Sequence, residues 1–262
     1  MLNRNDKRGF GLMAIMAGLL VFAPSVRAAV LDWSTASWTS GSLVNSYDTD
    51  GDGFKEIKIT ITPIPSTPTP WILGAPVDDN TLPGGTGGDT LLLAVNWTVN
   101  TSTINVTIDF LNPGGAQNVS FTLTDVDRNT GGSDTGFRDY VTAIKGRLAT
   151  GGTYVGPSTL TANADTLATL SGTNSTLRGE NESFNGTADA TIDFGTNFVN
   201  QVQFTWGNWT GSGSAPANPG QQGIGIGDIS FRPRVPEVHP ALAASLFCTL
   251  PMMLRWFRRR RN

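Results

Sequence analysis

Between positions 54 and 231 apolar and polar residues alternate in short runs. Ile57, Ile59 and Ile61 within 54–61 set the pattern, and 91–97, 103–110, 119–126, 140–144 and 224–231 continue it. A period of two is that of a strand with one face buried. No long stretch shows a helical period, and Gly, Asn and Pro separate the runs, so the pattern predicts an all-β, antiparallel, jelly-roll-like β-sandwich. Pro63, Pro65, Pro68 and Pro70 alternate with Thr and Ser, which predicts an extended connection rather than a sheet interior. Segment 81–88 is Gly-rich but lacks the Lys of a phosphate-binding loop, and reads as an exposed turn. A short pattern recurs: Thr107–Phe110 followed by Val119–Thr122, and Thr191–Phe194 followed by Val202–Thr205. Each unit predicts a hairpin with one apolar and one polar face.

Composition supports strands: 33 Thr favour a pleated surface, and 31 Gly with 15 Pro supply turns. The formal net charge of −3 hides segregation. Residues 29–231 carry seven basic and 19 acidic side chains, and both ends are basic. An acidic body argues against nucleic acid as a partner and points to cations and neutral polymers. The single His239 and single Cys248 lie in the C-terminal segment, so the body holds no thiol or imidazole for nucleophilic catalysis, zinc or a disulfide.

The basic ends read as addresses. Arg4, Lys7 and Arg8 precede the apolar run 10–23, and Val26-Arg27-Ala28 offers small residues for cleavage, which predicts a secretory signal over 1–28 and a mature chain starting at Ala29. The body, 29–231, is long enough for one β-domain. In 232–262, the motif 235–240 (Val235-Pro236-Glu237-Val238-His239-Pro240) precedes an apolar transmembrane helix at about 238–257 and the Arg run 258–261. This tail resembles the PEP-CTERM sorting signal of Gram-negative bacteria, with Val235, Pro236 and Glu237 as the motif and Val238 where the family usually has a second proline. The resemblance implies an exosortase as processing partner, a transient inner-membrane anchor, and delivery to the cell envelope, outer surface or extracellular matrix. Gln117–Asp127, Gly136–Thr142 and Gly223–Phe231 are similar to bacterial extracellular jelly-roll modules over roughly 95–231, which implies a fold and a setting but no activity.

Asp48, Asp50, Asp52 and Glu56, with Gly53 at the sixth position, space oxygen ligands as calcium requires, and Phe54 would add its backbone carbonyl. Position 12 is Ile59 rather than Glu, so the loop resembles the calcium loops of integrin-type propeller repeats more than an EF-hand. Asp125, Asp127 and Asp139, with Asp134 between, form a second candidate calcium group, with pairing to Arg128 and Arg138 as the alternative. Trp206 continues the alternation of Val202 and Phe204 and is expected in the core. Trp209 has the opposite parity and is the candidate for stacking on a sugar. The expected function is a calcium-stabilised structural or adhesive surface protein without catalytic residues. The alternatives are a carbohydrate-binding module for envelope or extracellular polysaccharide and, third, a carboxylate-dependent glycoside hydrolase.

Overall fold

The computed structural model describes residues 28–64, 71–79, 89–129, 136–183, 186–211 and 217–234. The export signal up to Arg27, the sorting tail from Val235, the loop 81–88 and Asp134 lie outside these residues. In chain order the strands are β1 (Ala29–Leu31), β2 (Val44–Tyr47), β3 (Ile57–Ile64), β4 (Val77–Asp79), β5 (Thr90–Trp97), β6 (Thr103–Phe110), β7 (Ala116–Thr124) and β8 (Asp139–Leu148). They continue with β9 (Tyr154–Val155), β10 (Thr159–Ala162), β11 (Thr166–Thr169), β12 (Ser175–Gly179), β13 (Ala190–Asp193), β14 (Val199–Asn208), β15 (Gly220–Ile226) and β16 (Ile229–Pro233). One 3-10 turn, Gly172–Asn174, is the sole helical element among the described residues, where no helix is long and apolar enough to cross a membrane.

The chain is all-β, and every strand pairing is antiparallel within one curled sheet. One half, the front, runs β2-β3-β6-β14-β8-β12-β11. The other, the back, places β7 between β13 and the β15–β16 pair, with β5, β4 and β1 beyond. The halves meet where β14 touches β7 at Val199 and Ala116. Inward residues of both halves share one core, as the ring pairs Trp97–Trp206 (5.2 Å), Phe110–Phe231 (5.2 Å) and Phe121–Phe204 (6.1 Å) show. Strand β6 follows the alternation, with Ile104, Val106, Ile108 and Phe110 buried and their neighbours half-exposed. Strand β5 departs from it. Leu91 to Val95 are all buried, because Trp71, Ile72 and Val77 cover Leu92 and Ala94 from outside. Pro63 lies in β3 paired with Ile104, beyond the last residue that β2 pairs, so its missing N–H faces no neighbouring strand.

The expected hairpins are not formed. Strand β6 pairs with β14, and β13 pairs with β7, so each recurring pattern sends its two strands to opposite halves and pairs them with strands of the other copy. The connection from β6 to β7 crosses between the halves at Gly115. There φ is 74°, and an added Cβ would lie 2.4 Å from the Val199 carbonyl oxygen, so only glycine fits. The period-two pattern specifies which face is buried but not which strand lies alongside.

Candidate functional site

The acidic loop between β2 and β3 is shaped by its own carboxylates. Asp48 Oδ1 accepts from Gly51 N (2.7 Å) and its Oδ2 from Gly53 N (2.8 Å), Asp50 accepts from Asp52 N (3.2 Å), and Asp52 accepts from Phe54 N (2.8 Å). Gly53, at φ 92°, takes a backbone conformation that other residues resist. Glu56 is buried and accepts from Thr49 N (2.6 Å), which closes the loop at its base. Ligand atoms of Asp48, Asp50, Asp52 and Glu56 all lie within 4.8 Å of one another, a group that can hold a metal ion. Among the described residues no ion pair joins a cationic side chain to Asp48, Asp50, Asp52 or Glu56. Desolvation pushes the Asp48 pKa up, and four backbone N–H donors, Gly53 first, outweigh it and hold the group below the ordinary carboxylate value. The Phe54 side chain is exposed to solvent.

Asp125, Asp127 and Asp139 are not drawn into a second group of this kind among the described residues. The physical reason is that Asp139 turns inward and is fully buried. Its Oδ1 accepts from Trp206 Nε1 (2.8 Å), and Oδ2 accepts from Asp127 N (3.3 Å). Gln222, with its amide oriented to satisfy its neighbours, donates to Asp139 Oδ1 (2.8 Å) and accepts from Trp97 Nε1 (3.2 Å). Asp139 thus ties the two core tryptophans together. Asp127 accepts from Ser183 N (3.0 Å), while its Oδ1 is buried without a partner. Arg138 is turned to Gly179 O (2.7 Å) and pairs with Glu180.

Asp125 and Asp127 line a cavity of about 260 Å³ whose walls include Leu92, Phe137 and Gln222. Burial, reinforced by the Asp127 and Asp189 charges, pushes the Asp125 pKa up to about 8. Burial likewise raises Asp127 to about 6, against the Ser183 N–H and with the charges of Glu182 and Asp165 adding. Burial and then the Asp127 charge raise Asp139 as well, against the Trp206 N–H. A carboxyl whose folded pKa lies above its unfolded value holds its proton more tightly when folded. Its stabilising effect is present below about pH 4 and lost as pH rises toward 8. Unfolding free energy is therefore expected to fall by roughly 2 kcal/mol from pH 5 to pH 8, after allowance for partial solvent screening. Asp125→Asn should flatten this dependence. Urea titrations across the pH range check it, and stability that rises from pH 5 to pH 8 would contradict it.

The third feature is the outward side of the front half. Residues Gln201, Gln203 and Thr205 of β14 stand opposite Asp109, Thr107 and Asn105 of β6 on one side, and opposite Arg147, Lys145 and Thr142 of β8 on the other. Lys58, Thr60 and Thr62 of β3 extend the row beyond β6. The side chains are linked across strands: Gln203 Nε2 donates to Gln201 (2.6 Å), Gln201 Nε2 to Asp109 (2.6 Å), and Thr205 Oγ1 to Asn105 (2.7 Å). The Gln203 carbonyl and the Asn105 amide nitrogen have no partner among the described residues. A register shift between β14 and β8 near Gln203, with Ala143 at φ 52°, marks a bulge. Beside it Asn105, Thr107, Lys145, Gln203 and Thr205 line a depression of about 140 Å³.

Aromatic rings flank this face. Trp206 is completely buried, as its parity requires, and Trp209 follows β14 on the opposite side, half-buried. Tyr140 meets the Trp209 ring edge-on at 4.8 Å, and the Arg178 guanidinium lies 4.8 Å from its centre. Farther along β8, Lys145 Nζ lies 4.7 Å from the Tyr154 ring centre. Sequence reading found Trp209 by parity but missed the amide and hydroxyl row, because its members come together only through pairing across about 100 positions.

No protein-family model and no curated protein sequence matches the chain. Among solved structures it is similar to a carbohydrate-binding module specific for non-crystalline cellulose, CBM28, at 10% identity over 60% of this chain and 79% of that chain, with a TM-score of 0.35. It is also similar to the mannan-recognising module TmCBM27, at 12% identity over 80% and 99% of the two chains and a TM-score of 0.33. A third likeness is to the family 11 carbohydrate-binding module from Clostridium thermocellum in complex with a β-1,3-1,4-mixed-linked tetrasaccharide, at 9% identity over 80% and 98% and a TM-score of 0.30. Likeness at this level decides neither the fold nor the ligand of this chain, which rest on the geometry described above.

Proposed function

We propose that the chain is an exported polysaccharide-binding β-domain. The observation that carries this reading is the outward face of β6, β14 and β8, with amides and hydroxyls beside a bulged depression and aromatic–cation pairs at its margins. A sugar chain offers hydroxyl edges, which need donors and acceptors placed together, and C–H faces, which stack on rings. No observation among the described residues singles out the structural or adhesive role that the sequence placed first. Gln203→Ala and Tyr140→Ala are each expected to weaken binding to a recognised polysaccharide about tenfold, a loss of about 1.4 kcal/mol. Calorimetry across a panel of soluble polysaccharides checks this. The reading fails if no member binds, or if both variants bind as the parent does while their melting temperatures are unchanged.

The same proposal includes calcium in the Asp48–Glu56 loop and routing by the termini. Calcium is supported by the clustered carboxylates of Asp48, Asp50, Asp52 and Glu56, with the Phe54 carbonyl as a further ligand. Routing is supported by the order of Val235-Pro236-Glu237, an apolar stretch and the Arg run, which an exosortase would process. Mass spectrometry of the protein recovered from its native cells should find Ala29 at the N-terminus and no Arg258–Arg261. Recovery of the intact Arg run would contradict the processing step.

A further inference from the structure

The charge of the polar face runs against that of the body. Residues 29–231 hold 19 acidic and seven basic side chains. Yet the outward positions of the front half hold Lys58, Lys145, Arg147 and Arg178 against one strand carboxylate, Asp109. Arg178 is already engaged, by Glu180 (2.6 Å) and the Trp209 ring. Asp109 accepts from Gln201 and stands opposite Lys58 in the register. Lys145, which keeps its full charge beside the Tyr154 ring (4.7 Å), and Arg147 stand two positions apart and therefore on one side of β8. Neither makes an ion pair among the described residues. Lys145 also lines the depression that holds the partnerless Gln203 carbonyl and Asn105 amide nitrogen. In so acidic a chain, general solubility gives no reason to collect cations on the face built of amides and hydroxyls. A local positive field there does have an effect: it draws anions to that face in preference to the rest of the surface.

We infer that the face binds an anionic polysaccharide carrying uronate carboxylates, with Lys145 and Arg147 taking a carboxylate while Gln203 and Asn105 meet neighbouring hydroxyls. This rests on the polysaccharide reading above and names its ligand class, in place of the neutral polymers to which the overall charge points. Uronate is favoured over sulfate ester because the cationic patch is small. A densely sulfated chain running past it would meet the acidic remainder of the domain.

The test is calorimetry with the intact domain, residues 29–234, in calcium-containing buffer. The probes are short oligogalacturonides, their methyl esters, a neutral mixed-linkage β-glucan oligosaccharide and dextran sulfate. The expected result is binding of the oligogalacturonide, with at least a tenfold loss on methyl esterification and weakening as salt rises from about 20 to 200 mM. Lys145→Gln combined with Arg147→Gln should lower affinity for the acid at least tenfold more than affinity for the methyl ester, with the melting temperature unchanged; an equal loss for acid and ester overturns the uronate assignment. Equal affinity for acid and ester, or tighter binding of the glucan, overturns the uronate assignment and leaves the polysaccharide reading standing. Tighter binding of dextran sulfate, which carries sulfate and no carboxylate, overturns uronate in favour of sulfate. Binding of none of the four overturns the uronate inference, and a wider panel without any binder then overturns the polysaccharide reading as well.

Discussion

Millimolar calcium is expected to raise the melting temperature of the chelator-treated domain by about 5–10 °C. A cation present at about 100 times its dissociation constant, and bound only by the folded state, adds about 2.7 kcal/mol. For a domain of this size each kcal/mol moves the melting temperature by about 2–4 °C. The loop supplies the chemistry: four carboxylates with ligand atoms within 4.8 Å of one another, a left-handed Gly53, and Glu56 buried at the base. Like charges held this close repel unless a cation sits among them. Calcium is proposed rather than magnesium because calcium accepts irregular shells of oxygen ligands, whereas magnesium demands a near-ideal octahedron and keeps its waters. Asp48→Asn and Glu56→Gln should each abolish most of the calcium-induced rise. A melting temperature indifferent to both calcium and chelator would remove the metal from the account.

The second large effect lies in the core. Trp206→Ala is expected to cost about 3–5 kcal/mol, the range for deleting a buried aromatic ring. The Trp206 ring is completely buried, packs edge-on against Trp97 at 5.2 Å and donates to Asp139. Trp206→Phe separates packing from hydrogen bonding. It retains most of the ring volume but removes one donor from a fully buried carboxyl, so a loss of about 1–3 kcal/mol is expected. Combining Trp206→Phe with Asp139→Ala should cost less than the sum of the two single changes, since both break the same contact. Strict additivity in denaturant titrations would mean that the contact contributes nothing. Tryptophan fluorescence follows each unfolding transition.

These effects mark what could be read from the chain and what could not. The Asp48–Glu56 loop was visible because all its carboxylates fall within one turn, and local geometry alone brings them together. The bounds of β6 and the opposite parities of Trp206 and Trp209 followed from the period of a strand. The pairing of β6 with β14 was not visible, because alternation fixes a face and leaves the neighbour open; the close approach at Gly115 and Val199 sends the chain across instead. Asp139 was read as a candidate calcium ligand beside Asp125 and Asp127, and its burial was not visible because its donors are not its neighbours in sequence. It is buried here because Trp206, Gln222 and the Asp127 amide provide its donors, two of them from strands far away in sequence. Strands β9 to β12 carry few large apolar residues, and the pattern that marks strands elsewhere is faint in them.

The most direct test of a polysaccharide-binding face is a nuclear magnetic resonance titration of the isotopically labelled domain with oligosaccharides from the binding panel. The account predicts shifts concentrated in the side-chain amides of Asn105, Gln201 and Gln203 and in the Trp209 indole N–H, with the Trp97 and Trp206 indole signals unmoved. Shifts centred instead on the cavity beside Asp125 and Asp127, or none at millimolar concentrations of every sugar, would contradict it.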